Sequence, residues 1–109
     1  MTTVLVTTDG VRPDAWKVAG CPTYADLVDT GSATMSARCV LPSITLPNHA
    51  SMLFGVDPSV HGVRGNTGDG LADVPGLLHV LATEHKRSAM FYGWAAMAGS
   101  NRHGGARRL

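Results

Sequence analysis

Two residues in this sequence could do chemistry together. Asp9 follows a β-branched run, residues 2–8 (Thr-Thr-Val-Leu-Val-Thr-Thr), and stands where a buried strand would end. Open α/β sheets place their ligand crevice there, and a carboxylate at that point can hold a cation. The commoner use of an Asp-Gly pair is a turn, with the carboxylate hydrogen-bonded to nearby backbone. Thr45 lies between a period-two segment and an apolar run that begins Leu46-Pro47. Its hydroxyl would therefore sit at a helix N-terminus, where N–H groups and the helix dipole favour a phosphoryl oxyanion. Capping that helix is the ordinary role of such a residue. A threonine hydroxyl attacks only when a base or a metal ion helps remove its proton, so a nucleophilic Thr45 calls for a cation nearby.

The elements that would position these residues alternate. Residues 2–8 predict a strand covered on both faces, as in parallel sheets. Residues 22–31 (PTYADLVDTG) place Tyr24, Leu27 and Val28 on one helical face, with Gly31 as a left-handed stop. Residues 33–40 alternate in period two and predict a second strand. A helix starts at Thr45 and stops at Gly55, with Pro47 in a first turn that tolerates it. Residues 55–76 are rich in Gly, Asp, Pro and Asn and predict a long surface loop. Leu77, Leu78 and Leu81 suggest another helix, which carries His79, and residues 88–92 a third strand. Strands alternating with helices imply the α/β class with a parallel sheet.

Three segments together narrow this reading: VLVTTDGVRPD, then LPSITLPNHASMLFGVDPSVHGV, then RGN. They resemble the type I phosphodiesterase and nucleotide pyrophosphatase family of the alkaline phosphatase superfamily. That family has a strand ending in a metal-binding Asp and a Pro-x-x-Thr-Phe-Pro-Asn-His type box. A Gly-x-x-Pro-x-x-His-Gly stretch and a nearby Asn follow. The resemblance implies that Asp9 is a metal ligand and that Thr45 is both a metal ligand and the covalent nucleophile. It also implies that Asn66, 66 − 45 = 21 positions beyond Thr45, donates its side-chain amide to a nonbridging phosphoryl oxygen. Such a donor is worth a few kcal/mol in a transition state. Asn48, His49 and His61 are expected to shape the helix start and the loop. Leu46 replaces the aromatic residue usual beside the nucleophile, and Phe54 replaces a Thr before the glycine.

The implied fold is a partial alkaline-phosphatase-like parallel sheet flanked by helices, truncated after about three strands. Residues 1–94 would form the N-terminal portion of that domain and residues 95–109 a basic, disordered tail. No acidic residue follows Glu84, whereas Lys86, Arg87, Arg102, Arg107 and Arg108 do. A truncated or frameshifted reading frame would explain such an ending. The implied activity is metal-dependent hydrolysis of phosphodiester or phosphate-type esters through a phospho-threonine intermediate. Two divalent ions, expected to be zinc, would assist it, although the later Asp and His ligands are absent and the fragment alone would be inactive. One alternative is a noncatalytic remnant that recruits another chain through an exposed sheet edge. A second is a hydrolase of phosphonates or sulfate esters, against which a threonine nucleophile argues.

Bulk properties bound the partners. The 109 residues are 44% hydrophobic, enough for one small core. Nine basic and eight acidic residues leave a formal charge of +1, so neither a nucleic acid polymer nor a membrane surface is an expected partner; a small-molecule phosphate ester is the partner that the resemblance implies. No apolar run approaches the roughly 20 residues of a membrane span. No signal-peptide pattern opens the sequence, so the expected address is cytoplasmic. Cys21 and Cys39 are expected as small near-core thiols, and Met35, Met52 and Met90 as core filler. Arg12 is expected in an exposed turn.

Overall fold

A computed structural model describes residues 2–67 and 73–101. The chain divides into two compact units, Met1–Arg38 and Cys39–Leu109.

The first unit contains two short helices. Helix α1, Pro13–Ala19, has Pro at its first position, Asp14 in its first turn, Lys17 in its last, and Gly20 beyond it at φ 61° in the left-handed region. These are the start and stop signals of a helix. The Arg12 guanidinium donates to both Asp14 carboxylate oxygens, at 3.0 and 2.6 Å, across the helix start. Helix α2, Pro22–Thr30, also begins on proline. The rings of Trp16 and Tyr24 meet at 4.6 Å between centroids, so α1 and α2 pack through an aromatic pair. Gly31 ends α2, but not in the expected left-handed conformation, since its φ is −116°. Glycine is needed there for space: a Cβ would stand 2.8 Å from the Leu27 carbonyl oxygen.

The second unit holds the core. Helix α3, Thr45–Phe54, runs from an extended Ile44 to Gly55, whose φ of 68° lets the chain reverse. Leu46 and Ala50, one turn apart on α3, are buried with Val63 and Met97. Leu53, Phe54, Met90, Tyr92 and Ala96 pack around them. Burying the Leu46 side chain alone contributes about 2 kcal/mol. Helix α4, Pro58–His61, helix α5, Leu77–Thr83, and a 3₁₀ helix, Ala95–Asn101, all pack against α3. The 3₁₀ helix supplies Met97 to the core. The remainder of the expected basic tail, residues 102–109, lies outside the described residues.

Several expectations are corrected. The described residues form helices and no strand, so the partial parallel sheet and its exposed edge are not seen. A β-branched sequence confers a preference for extended backbone, but a strand exists only through a ladder with a partner. Residues 2–8, 33–40 and 88–92 form no such ladder among the described residues. Val4, Leu5 and Val6, expected inside, are 76, 66 and 74% exposed. The supposed loop 55–76 contains α4 and buries Pro58, His61, Val63 and Gly76; residues 68–72 lie outside the described residues. Cys21 and Cys39 are exposed free thiols rather than near-core residues. Met35 and Met52 are also exposed, and Met97 takes the core position expected of them. Among the described residues no helix is long and apolar enough to cross a membrane.

The contact of α3 with α5 gives a test. A Cβ on Gly76, the residue that precedes α5, would lie 2.8 Å from two ring carbons of Phe54 and 3.1 Å from the Leu53 carbonyl oxygen. Gly76→Ala is expected to cost about 1–3 kcal/mol in urea unfolding, because the Phe54 ring must shift from its place against the core and the Leu53 carbonyl is backbone. Gly93, with nothing within 4 Å of the place a methyl group would take, should accept alanine within about 0.5 kcal/mol. Equal costs at the two positions would refute this packing.

Candidate functional site

The start of α3 poses a problem of unpaired donors. Ile44, at the capping position, has no side-chain acceptor and makes no capping bond. Thr45 is therefore the first helical residue, not the cap. Pro47 has no N–H, and the backbone bond from Asn48 to the Ile44 carbonyl opens the helical ladder at 3.4 Å. The Leu46 N–H needs an acceptor from elsewhere. It donates to Asn66 Oδ1 at 2.9 Å, across 20 positions of sequence.

That bond fixes the carboxamide's orientation. Because Oδ1 must face the Leu46 N–H, Nδ2 is the group left to serve as donor beside the first turn of α3. Asn66 is exposed and Thr45 half-buried. The structure thus brings together two of the three expected site residues in the second unit. Asp9 belongs to the first unit, exposed in a turn that Gly10 completes at φ 71°. That geometry is the one expected of an Asp-Gly turn.

Two residues of the Pro-x-x-Thr box hold the approach to Thr45. Asn48 Oδ1 accepts the Val40 N–H at 3.0 Å, while its Nδ2 donates to the Ile44 carbonyl at 2.8 Å and the Pro42 carbonyl at 3.4 Å. One side chain therefore ties residues 40–44 to the first turn of α3. His49 Nδ1 lies 2.9 Å from the Thr45 carbonyl oxygen. A carbonyl can only accept, so Nδ1 carries the proton and Nε2 has the lone pair.

Sequence reasoning missed the partnership of Ser51 with His61. The His61 ring is 0% exposed. Its Nδ1 accepts the Val63 N–H at 3.1 Å, so in the neutral ring the proton is on Nε2, which points at Ser51 Oγ 2.9 Å away. A histidine that donates to a serine cannot act as its base, so this pair is not a nucleophilic dyad. Burial holds the imidazole below its ordinary titration range. Hydrogen bonds to the backbone of His61 and Pro47 oppose this in part, as does the negative charge of Asp57, and the positive charge of Arg64 reinforces it. The sequence signal was weak: a serine and a histidine ten positions apart, on separate elements.

Among the described residues, no three His, Cys, Asp or Glu side chains gather as a metal centre requires.

A family profile, type I phosphodiesterase / nucleotide pyrophosphatase, matches residues 3–69. Among curated proteins, ectonucleotide pyrophosphatase/phosphodiesterase family member 1 of Rattus norvegicus is 35% identical over 66 residues. The match covers 59% of this chain and 7% of that protein, so the chain corresponds to a small part of its relative. No solved structure matches significantly. Spanning more than half the chain and including both Thr45 and Asn66, the profile match places the chain in the type I phosphodiesterase / nucleotide pyrophosphatase family.

The state of His61 sets a pH dependence. Folding lowers its proton affinity from the ordinary value of 6.5, so as pH falls the unfolded chain takes up the proton first. The stability that neutral His61 contributes is complete above that value and declines below it, by at most about 1.4 kcal/mol per pH unit. Denaturant unfolding should therefore show a lower midpoint at about pH 5.5 than at about pH 7.5. Replacing His61 with Gln should reduce that difference; an undiminished difference would show that another group is responsible.

Proposed function

We propose that this chain carries the nucleophile of a hydrolase acting on phosphodiesters and related small phosphate esters. Thr45 Oγ attacks phosphorus as the bond to the leaving ester oxygen breaks, and the hydroxyl proton departs with the leaving alcohol. Asn66 Nδ2 donates to a nonbridging oxygen, where negative charge accumulates. Water then cleaves the phospho-threonine and regenerates the hydroxyl. The observation that carries this reading is the bond from Leu46 N–H to Asn66 Oδ1, because it sets a neutral donor beside the nucleophile's own helix turn. The N-terminus of α3 supports it further, since the partial positive charge there favours an anionic group at Thr45.

The family reading implies two divalent ions, zinc the expected pair. Toward them this chain offers one carboxylate, Asp9, and one hydroxyl, Thr45. Both are oxygen donors of a suitable kind, but a catalytic zinc takes about three ligands from protein. The donor set does not fit a complete centre. This shortfall favours a second reading for the isolated chain, in which it is noncatalytic by itself.

Two substitutions separate attack from charge stabilisation. In a full-length relative, Ala at the position of Thr45 should abolish turnover of bis(4-nitrophenyl) phosphate, and unchanged turnover would sink the assignment. At the position of Asn66, Asp keeps an oxygen for the Leu46 N–H but replaces the amide donor with a negative charge. Turnover should fall about 10²- to 10³-fold while the fold is retained. A loss confined to KM would assign Asn66 to ground-state binding instead.

A further inference from the structure

His61 is the most completely buried ionisable side chain described, and the proposed chemistry does not use it. Its two ring nitrogens join two segments. Nε2 meets Ser51 in the second half of α3, and Nδ1 holds the backbone of Val63 just after Gly62, whose φ of 78° reverses the chain. Val63 is itself buried in the core beside Leu46 and Ala50. Three residues further on, Asn66 reaches the Leu46 N–H. The segment 63–66 is thus secured at one end by the imidazole and at the other by the start of α3.

We propose that His61 is the positioning residue of this site: its neutral imidazole holds the segment bearing Asn66 against α3, and protonation of the ring withdraws that carboxamide from the nucleophile's helix. The chemistry is direct. In the neutral ring Nδ1 accepts from Val63; a second proton would turn Nδ1 into a donor facing a donor. That bond must then break, and a charge with no exposure to solvent must find water. Asp57 ahead of α4 and Arg64 after it are the charged groups that act on the ring. From α3 it faces the Ser51 hydroxyl, the Pro47 carbonyl and the Phe54 ring, 6.3 Å away between centroids, none of which ionises near neutral pH. The functional consequence rests on Asn66 being the oxyanion donor, but the mechanical coupling does not.

The test uses NMR on the isotope-labelled 109-residue chain and requires no turnover. Nitrogen shifts of His61 should show an unprotonated Nδ1 and a protonated Nε2 near neutral pH. Hydrogen exchange of the Leu46 amide should be slowed there, and its protection should be lost with the same midpoint as His61 protonation, by about tenfold or more. His61→Asn places an amide oxygen where Nδ1 stands and should keep the Leu46 amide protected at both ends of the titration. His61→Gln reaches toward Ser51 instead and should lose that protection even at neutral pH. A proton on Nδ1, or Leu46 exchange indifferent to the charge on His61, would overturn the proposal. If both variants unfold, the wild-type titration decides alone. Failure of the hydrolase reading would appear as turnover surviving the Thr45→Ala change, and would leave all of these signals untouched.

Discussion

Helix α3 begins with a donor that its own sequence cannot satisfy. Ile44 has nothing to cap with and Pro47 has no proton, so the N–H of Leu46 is served from Asn66. Left without an acceptor beside a side chain only 2% exposed, that amide would cost about 1–3 kcal/mol. Asn48 performs the matching task on the upstream side by holding residues 40–44. Both carboxamides therefore stabilise the turn that presents Thr45, and the requirements of folding and of the proposed chemistry coincide at one place. An apolar residue at the capping position is the reason: it passes the work of capping to a distant side chain, which then has a second group to spare.

Proton placement distinguishes the two histidines near this turn. His49 donates from Nδ1 to the Thr45 carbonyl, whereas His61 accepts at Nδ1 from Val63. The same residue type, close in sequence, is fixed in opposite tautomers by whether its backbone partner is a C=O or an N–H. That difference removes Ser51 from the candidate nucleophiles, although a serine 2.9 Å from a histidine would otherwise invite that reading.

Much of the fold is legible where the governing interactions are local. Helix α3 is readable from Thr45 to its glycine stop, α2 from its apolar face, and α5 from its leucines. Helix α1 carries equally local signals, proline first, Asp14 in the first turn and Gly20 after the end. It escapes a reading of the sequence because Arg12-Pro13-Asp14 suits a turn equally well. The single turn of α4 is too short to show periodicity. The strands fail for a different reason: a ladder is a property of two segments, and residues 2–8 record only a preference of one. The exposure of Cys21 and Cys39 is likewise set by surroundings that composition does not describe. At the site, family resemblance supplies the offset of Asn66 from Thr45. That Asn66 also caps the helix is a tertiary fact, invisible in spacing.

The bond between Leu46 and Asn66 closes a loop containing the rest of α3, the Gly55 reversal, all of α4 and the Gly62 reversal. Closing a loop of this length costs chain entropy that no single hydrogen bond repays, so the contact persists only once the intervening core residues have packed. A peptide limited to α3 would present the threonine without its companion amide. Thr45 and Asn66 become neighbours through the condensation of the whole unit, which makes their proximity a report on folding as much as a feature of the proposed site.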